Sequence, residues 1–147
     1  MMFRLGVFED PRVIGALRAH HDAVRAGGAW PGVDLRRPDV RFWSAWDRGA
    51  LLAIGAWRRL DAIHGEVTAV YVMESLRRRG LGGQMLSQLV DDARAGGARR
   101  LWLETGAGDH FRPVTRLFAR RGFSEAGPFA GRRPRPDVLF MTLSLDG

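Results

Sequence analysis

Val72-Met73-Glu74-Ser75-Leu76-Arg77-Arg78-Arg79-Gly80-Leu81-Gly82-Gly83 runs from the end of a strand through a glycine-rich turn into a helix. Before it, Glu66 to Val72 reads as a strand, with Glu66, Thr68, Val70 and Val72 on one face and Val67, Ala69 and Tyr71 on the other. After it, Leu81, Met85, Leu86, Leu89, Val90 and Ala93 form the apolar stripe of a helix that stops at Gly96-Gly97. The backbone N–H groups of a helix N-terminus point outward unpaired and add to the helix dipole, which makes an anion site. Glycine is needed there because a Cβ would hold a phosphate away from the backbone. The spacing excludes the dinucleotide fingerprint, which needs Gly or Ala where Met85 stands and does not carry three Arg before its glycines. The pattern present is Arg77-x-x-Gly80-x-Gly82.

Outward from this loop, the chain alternates strand and helix signals. Phe3 to Phe8 reads as a strand, and Asp10-Pro11 as a helix start with Val13, Leu17, His21 and Val24 on the inner face and Gly27-Gly28 as the stop. Ala29 to Asp39 is loop-like. Strands are expected at Arg41 to Asp47 and Ala50 to Trp57, joined by a hairpin turn at Asp47-Arg48-Gly49. A break from Asp61 to Gly65 precedes the central strand. Arg99 to Glu104 is a further strand, and Pro113 to Arg121 a short helix facing inward through Val114, Leu117 and Phe118. Gly122 stands where a left-handed cap belongs, with Phe123 placed to pack back on Phe118. Phe123 to Phe129 and Val138 to Leu145 close the order as two strands around the Pro/Arg-rich stretch from Gly131 to Asp137. The expected fold is α/β, one domain over residues 1–147 with a mixed central sheet flanked by helices.

Size and composition agree with one domain. A chain of 147 residues, 46% apolar and 27% charged, has the makings of a folded globule with one core. No apolar run approaches the length of a membrane span, and the first residues lack the basic and apolar regions of a leader, so a cytoplasmic protein is expected. With no Cys and only four His, thiolate chemistry is excluded and no catalytic metal is expected. The net charge of +7 comes from Arg alone, because the chain contains no Lys. That excludes nucleotide P-loops and protein kinases, both of which need a Lys on the phosphates. Arg suits bidentate recognition of an anionic ligand.

The set formed by the Arg77-x-x-Gly80-x-Gly82 loop, the Val70-Tyr71-Val72 strand before it and the Leu117-Phe118-x-x-x-Gly122-Phe123 helix end resembles the GCN5-related N-acetyltransferase (GNAT) family. The resemblance covers nearly the whole chain. It is closer to small bacterial members with a Phe-Trp-x-Ala-Trp hairpin, His-Gly-Glu, Leu-Glu-Thr-Gly and Gly-Pro-Phe, which here are Phe42 to Trp46, His64 to Glu66, Leu103 to Gly106 and Gly127 to Phe129. It implies an acetyl-CoA-dependent N-acetyltransferase acting by direct attack on the thioester. By position, Arg77, Arg78, Arg79, Gly80, Leu81, Gly82 and Gly83 would bind the pyrophosphate, and Val70, Tyr71 and Val72 the pantetheine arm and thioester carbonyl.

Among side chains, Glu66 is the first candidate for general base by resemblance, six residues before Val72 and on its face, with Glu104 second and His64 and His110 behind them. Phe118 would adjoin the CoA where many members of the family carry a Tyr that protonates the thiolate. A thiol with a pKa of about 8.5, by analogy with Cys, leaves with little help, so the change bears on the proton path more than on the activity. In the resembling subgroup a Tyr and an Asp occupy the places of Arg132 and Arg135. These two Arg imply an acidic acceptor if they touch it, although an exposed loop is the preferred reading of the stretch. Of the five Trp, Trp30 alone is expected near the site.

The acceptor is expected to be a primary amine of a small molecule, amino acid or peptide. Two alternatives stay open: a CoA-binding regulatory domain with weak turnover, suggested by Phe118, and a basic acetyltransferase acting on charged tRNA. The scattered Arg argue against nucleic acid as a partner. Dimers are common in the family, and the sequence does not fix the oligomeric state.

Overall fold

A computed structural model describes residues 1–27 and 34–146. The elements follow the expected order: β1 (Met2–Leu5), α1 (Pro11–Ala26), β2 (Val40–Asp47), β3 (Ala50–Arg59), β4 (His64–Val72), α2 (Leu81–Ala95), β5 (Arg100–Gly106), α3 (Arg112–Arg120), β6 (Ser124–Ala126) and β7 (Val138–Ser144). They build one mixed sheet in the order β1-β2-β3-β4-β5-β7-β6. Only β4 and β5 run parallel, joined by the α2 crossover, and the other neighbours are antiparallel.

Local chemistry explains the boundaries. Asp10 caps α1 by accepting from the Arg12 N–H at 2.9 Å, with Pro11 at the first helical position. The β2–β3 hairpin turns on Arg48 and Gly49, both at positive φ, the geometry of a two-residue turn that matches strand twist. Gly122, at φ 95°, ends the α3 segment, and Phe123 returns to Phe118 with ring centroids 5.7 Å apart. β1 is shorter than expected, stopping at Leu5 because Gly6 and Val7 both turn to positive φ. β6 likewise ends at Ala126 rather than at Phe129, whose ring stacks on Trp102 with centroids 5.5 Å apart.

The sheet separates two apolar layers. On one side Met85, Leu86 and Leu89 of α2 pack with Trp57, Leu101 and Leu103. On the other, Val13 and Ala16 of α1 pack with Phe42, Ile54, Ala56 and Ala69. The buried face of α1 carries His20 rather than the expected His21, which is exposed beside Asp22. Trp43 and Trp57 both donate their indole N–H to Asp92 of α2, at 2.9 and 2.8 Å, and Arg41 pairs with the same carboxylate. Those two indoles therefore tie the sheet to α2.

The expected alternation of β4 fails at one residue. Ala56 of β3 faces Ala69 while Trp57 faces Val67, which leaves Thr68 as an extra residue in a β-bulge. The bulge reverses the faces: Val67, Val70 and Val72 lie with the α2 layer, whereas Ala69 and Tyr71 lie with the α1 layer. Glu66, opposite Arg58, is on the α1 side, and so does not share a face with Val72. Pairing by twos from the sequence cannot register such an insertion.

Candidate active site

β4 and β5 pair only where His64, Gly65 and Glu66 face Arg100, Leu101 and Trp102. Beyond Glu66 and Trp102 the strands part, and the opening is a cavity of about 570 Å³. Its floor is the freed edge of β4, including Val70 and Tyr71, and its far wall is Leu103 to Gly106 of β5. Residues of α1, of the 3-10 turn Asp109–Phe111 and of α3 close the sides, among them His20, His110 and Phe118. Edge backbone groups of β4 on this side have lost their strand partner, so they are donors and acceptors awaiting another chain or ligand. Thr68, at the bulge, lines the cavity, and its buried Oγ1 has no hydrogen-bond partner among the described residues.

At one end of the opening stands the glycine loop. A 3-10 turn over Glu74–Leu76 leads into Arg77, whose Nε donates to the Val72 carbonyl at 3.2 Å and whose guanidinium lies 5.3 Å from the Tyr71 ring centre. Gly80 takes a left-handed conformation, φ 77°, which a side chain at that place would strain. The first intrahelical bond of α2 runs from the Gln84 N–H to the Gly80 carbonyl at 3.1 Å, so the N–H groups of Leu81, Gly82 and Gly83 precede the helical ladder. Gly82 is pressed between elements: a Cβ there would come within 2.9 Å of the Leu117 side chain and 3.5 Å of Val72. Arg77 lines the cavity itself, while Arg78 and Arg79 are exposed on the rim of the loop.

At the other end two carboxylates meet three guanidinium groups. Glu66 is 5% exposed and accepts from Arg132 through both oxygens at 2.8 Å and from Arg58 Nε at 3.0 Å. Glu104 accepts from Arg132 at 3.1 Å and from Arg135. Arg132 also lies over the Phe129 ring at 4.2 Å. The stretch from Gly131 to Asp137 is thus not a bystander loop, because Arg132 and Arg135 fold back to line the cavity. Sequence reasoning favoured exposure because Pro-, Gly- and Arg-rich stretches usually stay solvated; partners 66 and 28 residues away decide otherwise.

The remaining candidates divide. His110 lines the cavity and its Nε2 lies 3.0 Å from the Ala23 carbonyl of α1. His64 stands outside it, held by Asp61 at 2.8 Å. Phe118 is buried in the cavity wall. Trp30 lies outside the described residues. His20, not a sequence candidate, presents its ring edge to Tyr71 at 5.9 Å. Burial, with His21 adjacent, pushes its pKa down to about 4, so its imidazole is neutral near pH 7. Among the described residues, no three metal-ligating side chains come together, and no helix is long and apolar enough to cross a membrane.

A mixed sheet parted between two parallel strands, with a phosphate-type loop at the helix that follows the first of them, is the fold of the acyl-CoA N-acyltransferases. The chain belongs to the acetyltransferase (GNAT) family, whose model matches residues 20–123. It is an acyl-CoA-dependent N-acetyltransferase by that membership. Among its relatives is the uncharacterised N-acetyltransferase YsnE of Bacillus subtilis, 38% identical over 111 residues, which are 76% of this chain and 74% of YsnE. A solved acyl-CoA N-acyltransferase structure from Klebsiella pneumoniae superposes with a TM-score of 0.84 at 26% identity, covering 99% of this chain and 97% of the other. A GNAT acetyltransferase from Elizabethkingia anophelis, solved with acetyl-CoA bound, shares the fold at a TM-score of 0.75 and 14% identity over 97% of each chain.

Proposed function

We propose that the protein transfers an acetyl group from acetyl-CoA to a primary amine of a small molecule, amino acid or peptide. The observation that carries this reading is the parted β4–β5 edge, which joins an anion-binding loop at one end to a carboxylate pair at the other. The pyrophosphate sits against the N–H groups of Leu81, Gly82 and Gly83, with Arg77, Arg78 and Arg79 supplying charge. The pantetheine amides complete the edge of β4 at Val70, Tyr71 and Val72 as an added strand would. An N–H of the same edge polarises the thioester carbonyl. The orphaned Thr68 hydroxyl fits a polar occupant of the opening.

The amine nitrogen attacks the thioester carbon; a C–N bond forms, the C–S bond breaks, the thiolate departs, and the proton that the amine loses ends on that sulfur by way of the base. Net, amine and acetyl-CoA become amide and CoA thiol. Glu104 takes the amine's proton, directly or through water. Its side chain is the more exposed of the pair, 24% against 7% for the side chain of Glu66, and accepts from two guanidinium nitrogens where Glu66 accepts three hydrogen bonds. Glu66 holds Arg132 in place. Phe118 bounds the cavity near the thiol without donating a proton, which a thiolate leaving group tolerates.

The test is thiol release with a panel of primary amines, amino acids and short peptides, with the product identified by mass. Release that requires both acetyl-CoA and an amine is expected. If saturating acetyl-CoA gives no release above spontaneous hydrolysis with any amine, the reading fails.

A further inference from the structure

The ion-pair cluster at the acceptor end of the cavity carries more positive charge than its carboxylates balance. Glu66, Glu104, Arg132 and Arg135 line the cavity as two negative and two positive charges, and Arg58, paired with Glu66 outside the lining, adds a third positive one. An acceptor that is only a cation, such as a polyamine, gains nothing from that balance. One that brings a carboxylate beside its amine does.

The two tail arginines are held differently. Arg132 is 20% exposed, stacked on Phe129, and has both terminal nitrogens engaged, so its plane is fixed and its work is to hold the two carboxylates. Arg135 is 51% exposed and lines the same cavity. It bonds Glu104 through one terminal nitrogen, and its Nε and other terminal nitrogen have no partner among the described residues. A guanidinium offers five N–H donors in a planar fork that matches a carboxylate. Arg135 and Glu104 thus stand side by side as an open cation and an acceptor-rich anion, the charge pattern complementary to a molecule with a carboxylate and an amine close together.

We infer that Arg135 binds the carboxylate of the acceptor, and that the acceptor is an amino acid or another small amine bearing a carboxylate near its nitrogen. This rests on the acetyl-transfer reading above and names the substrate class of the same site. The carboxylate docks on Arg135, which places the amine at Glu104, facing the thioester. Arg135 is a specificity-determining residue; the bonds made and broken are those of the transfer already written.

The experiment compares an amino acid with its own carboxamide, which keeps the side chain and the amine and loses only the carboxylate. In the wild-type protein kcat/KM for the acid is expected to exceed that for the amide by roughly 30-fold, the scale of one charge-assisted pair. In Arg135→Gln the ratio falls toward one, with a retained acetyl-CoA-induced shift in Tm showing that the variant is folded. A second measurement needs no variant: the matching acid without the amine inhibits competitively against the acceptor, and its amide does not. Equal or better use of the amide by the wild type, or an undiminished ratio in Arg135→Gln, overturns the inference while leaving acetyl transfer standing. No thiol release with any amine overturns the transfer reading and this inference with it.

Discussion

Lowering the pH from 7 to 5 should destabilise the protein through one side chain, His20. It stands in the cavity wall on α1, edge-on to Tyr71, and burial with His21 adjacent lowers its pKa from 6.5 to about 4. Between those values the unfolded chain holds the proton and the native state refuses it, so stability rises with pH across the window and is lost as pH falls. A tenfold change in proton affinity is worth about 1.4 kcal/mol, which gives a loss of about 2 kcal/mol between pH 7 and pH 5 and about 3 kcal/mol near pH 4. At this chain length, 2 kcal/mol is a fall in Tm of about 4–8 °C. The assay is urea unfolding of the wild type and His20→Leu at both pH values, read as the difference in their pH slopes. Asp10, Asp61 and Asp92, whose pKa values lie below the ordinary 3.8, lose their contributions at lower pH and do so in both proteins. His20→Leu should lose about 2 kcal/mol less than the wild type over this interval. Identical slopes would refute the reasoning.

Three further outcomes are expected. Glu104→Gln keeps the shape of its carboxylate and should lower kcat about 100-fold or more while KM for acetyl-CoA holds; an unchanged kcat places the base elsewhere. Asp92→Ala strands the Trp43 and Trp57 indole N–H groups and the Arg41 guanidinium, for a loss of about 3 kcal/mol in urea titrations, and a loss below about 1 kcal/mol would show that water satisfies them. Arg79→Glu, on the exposed rim of the glycine loop, should weaken acetyl-CoA binding about tenfold at low salt, with the effect shrinking as salt rises and Tm of the unliganded protein unchanged; calorimetric titration at two salt concentrations reads it.

Local chemistry was legible in the sequence, and long-range chemistry was not. The order of elements, the glycine loop and the Gly122-Phe123 cap all follow from signals a few residues long, where backbone conformation is decided by neighbours. Thr68 shows the opposite case. One extra residue in β4 has no compositional mark, yet it moves Glu66 to the opposite face from Val72. His20 and His21 both fit helical spacing from Leu17, so the sequence could not separate them; the position of α1 against Tyr71 does. Arg132 and Arg135 were legible as departures from a resembling pattern, but their role depends on Glu66 and Glu104, which only the fold brings near.

The central claim is that the parted β4–β5 edge and the Arg77–Gly83 loop together receive acetyl-CoA. A thermal melt with and without this thioester tests it most directly, because a ligand that binds only the native state stabilises it by mass action. At a hundredfold excess over Kd the stabilisation is about 2.7 kcal/mol, and Tm should rise by about 5–10 °C. A melt that does not move at saturating acetyl-CoA contradicts the account.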